Sequence, residues 1–177
     1  GLLIVFGHNL LDSITSESNF FWMLFHQFGG VEYGEKGFIM AMYPMLPWLG
    51  IMVIGFVIGW LYNKKVAKKQ RTKTLLIIGF SSLLLFCFLR AFNLYGDPQW
   101  SFEWQDSFFK NVVSFIRILK YPPSLHYALV TIGIALLSLV ALERMGPRFS
   151  KFFLVFGKVP LFFYFVHIFV IHQSSML

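Results

Sequence analysis

The stretch NKKVAKKQRTK at residues 63–73, running straight into TLLIIGFSSLLLFCFLRAFNLY at 74–95, decides the fold. Six cations without a single acid abut an apolar run of 22 residues that carries one charge, Arg90. A helix of that length, at about 1.5 Å per residue, matches the roughly 30 Å hydrocarbon core of a bilayer. Three further stretches are as apolar and about as long: residues 38–62, 123–142 and 152–174. They imply an all-α, polytopic transmembrane helical bundle with four full spans. A soluble bundle is the competing reading, and four such runs in 177 residues argue against it. Composition agrees. The chain is 13% charged, 57% hydrophobic and 20% aromatic, where a soluble domain has about 25% charged and 45–50% apolar residues. That leaves too little polar surface to face water.

Charge placement gives the orientation. The basic loop supplies six of the net +7, so the positive charge reports topology and gives no reason to expect nucleic acid as a partner. By the positive-inside rule residues 63–73 are cytoplasmic, as is the short loop 143–151 with Arg144, Arg148 and Lys151. Segments 7–37 and 96–122 then lie outside. Residues 1–6 are apolar but too short to cross, and read as the stump of a fifth span. The chain 1–177 is expected to be an internal fragment of one integral membrane domain, in contact with membrane lipids. Residues 101–120 repeat Trp104, Phe108, Val112, Phe115 and Leu119 at steps of three or four, the pattern of an amphipathic helix in the outer interface. Residues 19–28 form a short apolar run suited to an interfacial or re-entrant segment. Gly55 and Gly59 make a GxxxG stripe read as helix packing, and a homo-oligomer stays open. The single cysteine, Cys87, rules out an intramolecular disulfide.

Ionisable groups inside a membrane are costly and therefore candidates for function. Arg90, Asn93 and Asp97, at i, i+3 and i+7, would share one helical face running toward the outer surface. Arg90 either snorkels to the headgroups or lines a buried polar pocket, and Asn93 favours the pocket. His8, Asn9 and Asp12 open the first outer segment; His8 and Asp12 face the same way if the helix continues, or simply cap it. Lys120 and Tyr121 precede a Pro-Pro break, where a basic group could meet an anionic substrate or a lipid phosphate. His167 is either a proton carrier or substrate contact, or an interhelical hydrogen-bonder. It stands five residues from His172, off the i, i+4 spacing of a helical metal pair, so no metal is expected. Lys158 reads as a snorkelling residue. Nucleotide loops and nucleophile elbows are missing from the sequence.

Five phrases go beyond generic apolar sequence: GHNLLD at 7–12, YPMLPWLG at 43–50, LRAFNLYGDP at 89–98, KYPPS at 120–124 and FGKVPLFFYFVH at 156–167. In this order they resemble bacterial membrane proteins similar to heparan-alpha-glucosaminide N-acetyltransferase, within the wider membrane acyltransferases. The resemblance implies transfer of an acetyl or acyl group from acetyl-CoA, or another acyl-CoA, to a sugar amine or hydroxyl. The setting it implies is the bacterial cytoplasmic (inner) membrane, with a glycan or other small-molecule acceptor. The family's presumed catalytic histidine belongs near its first span, which nothing here matches. The residues that do match are His8, Asn9, Asp12, Arg90, Asn93, Asp97, Lys120, Tyr121 and His167. A transporter or lipid flippase with a polar path between helices is the alternative, and a non-catalytic structural subunit a third.

Overall fold

The computed structural model describes residues 1–15, 19–33, 37–145, 151, 154–155 and 157–175. It is mostly helical. The chain divides into two compact units, Gly1–Leu137 and Ser138–Leu177. Among the described residues three helices are long and apolar enough to cross a membrane: Met45–Tyr62, Lys68–Ala91 and Leu125–Arg144.

In the first unit, helix α1 (Leu2–Gly7) continues as a 3-10 turn, His8–Leu11. The short α2 (Phe20–Phe25) follows, capped by the Asn19 side chain, which accepts from the Trp22 amide at 3.1 Å. Strands β1 (Gly29–Tyr33) and β2 (Gly37–Ala41) then pair antiparallel. The expected span at 38–62 is therefore shorter, and the fold is not purely helical. Residues 37–41 are apolar enough to merge with the helix in sequence, but Pro44 separates them. Its ring fixes φ near −56° and pushes Tyr43 toward extended backbone. Helix α3 (Met45–Gly59) starts after it and ends in a 3-10 turn, Trp60–Tyr62.

Helix α4 (Lys68–Ala91) also departs from the expected 74–95. It begins six residues earlier, taking Lys68, Lys69, Arg71 and Lys73 into its first two turns. Cations at a helix N-terminus oppose the macrodipole, so this placement is unfavourable for the isolated helix. The helix stops at Ala91 in a Schellman turn. Asn93 takes a left-handed φ of 49°, the Asn93 amide donates to the Arg90 carbonyl at 3.2 Å, and that of Leu94 to Leu89 at 3.1 Å. The amphipathic helix expected over 101–120 is reduced to α5 (Phe108–Ile116). Before it, Gln105 and Asn111 exchange two hydrogen bonds of 2.6 and 2.7 Å that replace a helical turn. Helix α6 (Leu125–Arg144) follows.

Helix packing in a lipid environment depends on close approach more than on hydrophobic burial, so small residues mark the seams. A Cβ added at Gly50 would lie 2.8 Å from Ile4, fixing α1 against α3. One at Gly79 would lie 2.9 Å from Leu137, and one at Gly133 2.9 Å from Leu83, fixing α4 against α6. Among the described residues nothing lies within 4 Å of a Cβ added at Gly55 or Gly59, so that stripe forms no such seam with them. Val5, Phe86, Leu125, Ala128 and Leu129 form the core. The outward faces carry Phe56, Leu84 and Met52, exposed by 85, 70 and 70%, an apolar surface far larger than water tolerates on a monomer.

The second unit contains the end of α6 and helix α7 (Pro160–Ser175), whose proline occupies the first turn. The expected span 152–174 falls partly outside the described residues, and the described helix, at 16 residues, is shorter than the ~20 that cross a bilayer. The loop 143–151 lies largely outside them as well.

Candidate functional site

Arg90 is completely buried at the last turn of α4. Its Nη1 donates to Asp97 Oδ2 at 3.1 Å and Ser101 Oγ at 3.0 Å. Nη2 donates to the carbonyls of Ser114 at 2.9 Å, Ser101 at 3.4 Å and Arg117, and Nε to that of Phe115 at 3.2 Å. Three of these carbonyls stand at the C-terminal end of α5, where acceptors outnumber helical donors and the helix dipole is negative. The guanidinium thus terminates α5 and neutralises Asp97 together. Arg90 does not snorkel.

Asp97 reaches Arg90 by a route different from the expected continuous helical face. Helix α4 ends at Ala91, and the chain brings Asp97 back over the helix end on a turn through Gly96 (φ 118°). Asn93 serves that turn, and its Nδ2 donates to the Phe102 carbonyl at 3.2 Å. His126, in the first turn of α6, sits with Nδ1 3.4 Å from Asp97 Oδ2. Neither of its ring nitrogens makes a hydrogen bond, and Asp97 Oδ1 is likewise unsatisfied.

A second cluster forms where the 3-10 turn meets the end of α2. His26 Nε2 donates to Asp12 Oδ1 at 3.0 Å, and Asn9 Nδ2 to Asp12 Oδ2 at 2.8 Å. His8 packs edge-on against His26, with ring centroids 5.9 Å apart. Both histidines are buried, and the Nδ1 of each lacks a hydrogen-bond partner. Burial pulls His8 down to about 4; Asp12 opposes this and His26 adds to it. Asn9 Oδ1 accepts from the Leu125 amide at 2.9 Å, so it caps α6 from a distant segment.

A cleft of about 270 Å³ borders the second cluster. Asn9, Asp12 and His26 form one wall; Gly96 and Pro98, on either side of Asp97, line another; Tyr121 and Ser124 line the third. The Tyr121 hydroxyl lies 3.4 Å from that of Tyr43. That hydrogen bond, then Lys120, hold Tyr121 below the usual phenol range, while the Tyr121 contact raises Lys120. The cleft lining thus contains a carboxylate–imidazole pair and a phenol.

Of the nine residues expected from the sequence, Asn9, Asp12 and Tyr121 line this cleft, His8 packs on His26 beside it, Lys120 adjoins Tyr121, and Arg90, Asn93 and Asp97 belong to the first cluster. His167 belongs to the second unit, where its Nδ1 donates to the Phe163 carbonyl of its own helix at 3.1 Å and its ring stacks on Phe163. Sequence reasoning missed His26. It lies in a segment read only as a short apolar run, 18 residues from His8, and no local spacing joins the two. It also left Ser101 outside the site. Compared with known proteins, the chain matches no protein-family model, no curated protein and no solved structure.

Proposed function

We propose that the cleft is the acceptor site of a membrane acyltransferase, which moves an acetyl or acyl group from acyl-CoA to a sugar amine or hydroxyl at the outer face of the bacterial inner membrane. The observation that carries this reading is the Asp12–His26 pair, 3.0 Å apart on the wall of a mostly apolar cleft. Acyl transfer needs a base to take the acceptor proton and a donor for the developing oxyanion. Asp12 orients the imidazole of His26, as a carboxylate does in a nucleophile–base relay. Tyr121, lowered by Tyr43 and Lys120, supplies the hydroxyl donor opposite. Arg90 keeps Asp97 and the end of α5 in place behind the cleft and does not touch the acceptor. Its donors are all directed at its own chain, which favours a structural role over the substrate path that a transporter would require. The four-span topology, with residues 63–73 inside, belongs to the same reading.

The test uses the native protein carrying this sequence, purified in detergent, with acetyl-CoA and hexosamine acceptors, following CoA thiol release. Acceptor-dependent release that falls by at least about 100-fold in His26→Ala and Asp12→Asn is expected, the size of a general-base contribution. Inertness with every acyl-CoA and acceptor tried would sink the proposal.

A further inference from the structure

We propose that His8, Asp12 and His26 bind a divalent first-row transition ion of the zinc type, with an open coordination position on the cleft side. The three residues come from two segments, the turn after α1 and the end of α2, and their ligand atoms all lie within 4.8 Å of one another. Two imidazoles and one carboxylate are the donor set of open zinc sites and of facial iron triads. Ligands about 2.0–2.1 Å from a tetrahedral ion stand roughly 3.3–3.5 Å apart. His26 Nε2 and Asp12 Oδ1 are already at 3.0 Å, and the remaining separations close with side-chain shifts of about an ångström.

Two independent features point the same way. The Nδ1 atom of His8 is buried without a hydrogen-bond partner, a state that native interiors avoid unless the lone pair has another use. Among the described residues the cleft lining contains the Asp12 carboxylate but neither lysine nor arginine. Asn9 holds Asp12 Oδ2 at 2.8 Å, the kind of outer contact that fixes a ligating carboxylate. Asp12 is partly exposed to the cleft, which leaves room for a water or an acceptor hydroxyl as a further ligand. An ion there would lower the pKa of that ligand. An ion held here would occupy the imidazole and carboxylate that the acyl-transfer reading uses as base and orienter, so the inference is independent of that reading, and its test reads metal content, not activity.

The full chain, purified in detergent and stripped with a chelator, is titrated with Zn²⁺ against a competing chromophoric chelator, and retained zinc is counted by mass spectrometry. One zinc per chain is expected. His8→Ala, Asp12→Asn and His26→Ala should each weaken binding by more than about tenfold, since losing even an outer contact to a ligand costs about 10–100-fold. His26→Cys, which restores a zinc ligand, should retain binding, separating a lost ligand from a lost fold. His172→Ala, in the second unit, should bind as the unaltered chain does. Substoichiometric zinc on folded protein, or unchanged affinity in His8→Ala and His26→Ala, would overturn the proposal.

Discussion

Replacing Arg90 by alanine probes the most heavily bonded side chain described in the molecule. Asp97 is fully buried beside it, so the substitution leaves a carboxylate in a poorly hydrated site with only His126 nearby. Breaking a buried pair in this way costs about 3–5 kcal/mol. Set against a typical total stability of about 5–15 kcal/mol, that is a large share. The carbonyls of Ser114, Phe115 and Arg117 also lose their donor, so removing Asp97 as well cannot restore the loss. At about 2–4 °C per kcal/mol for a chain of this size, Arg90→Ala should melt roughly 6–20 °C below the unaltered protein, read from tryptophan fluorescence in detergent. Arg90→Ala/Asp97→Ala should be less than additive, because the residues interact directly. Arg90→Lys should recover little, as an ammonium cannot span Asp97 and the end of α5 together. A melting temperature for Arg90→Ala within about 2–4 °C of the unaltered protein, under 1 kcal/mol, would refute the burial and bonding described for it.

Glycine substitutions separate real seams from apparent ones: Gly79→Leu should destabilise by at least about 1–3 kcal/mol through overpacking against Leu137. Gly55→Ala, with open space around its Cβ, should be neutral or gain up to about 1 kcal/mol from helix propensity; thermal melts of both check this. In metal-free protein His8, facing Asp12 and His26, is held neutral with its pKa lowered from 6.5 to about 4. The unfolded chain takes up that proton first, so stability should fall as pH drops from about 6.5 to about 4 and level off below. His8→Gln should flatten part of that slope in melts across the same range. For topology, Lys68→Cys and Trp104→Cys in a Cys87→Ser background, treated with an impermeant thiol reagent in intact cells, should label only at 104. Both positions are exposed, whereas Ser101 is buried against Arg90 and would not report.

Element placement was legible where composition and position coincide. The cation block beside the run at 74–95 announces α4, but hydropathy marks where lipid begins and the helix itself begins earlier, at Lys68. The same logic hid the hairpin, since Gly37–Ala41 reads as one apolar stretch with α3 until Pro44 is given its backbone consequence. Arg90, Asn93 and Asp97 were recognisable as polar residues without an apolar purpose. Their geometry was not, because the Schellman turn at Asn93 replaces the helical face assumed for them. His26 illustrates the remaining limit: its partners His8 and Asp12 are brought to it by tertiary folding alone.

Sided acyl transfer tests the central claim most directly. The native protein is reconstituted in sealed vesicles with radiolabelled acetyl-CoA confined to the side of residues 63–73 and a hexosamine acceptor on the opposite side. Labelled acceptor should accumulate on the acceptor side, and His26→Ala and Asp12→Asn should reduce it by at least about 100-fold. Absence of labelled acceptor, or transfer undiminished in those two variants, would contradict the account.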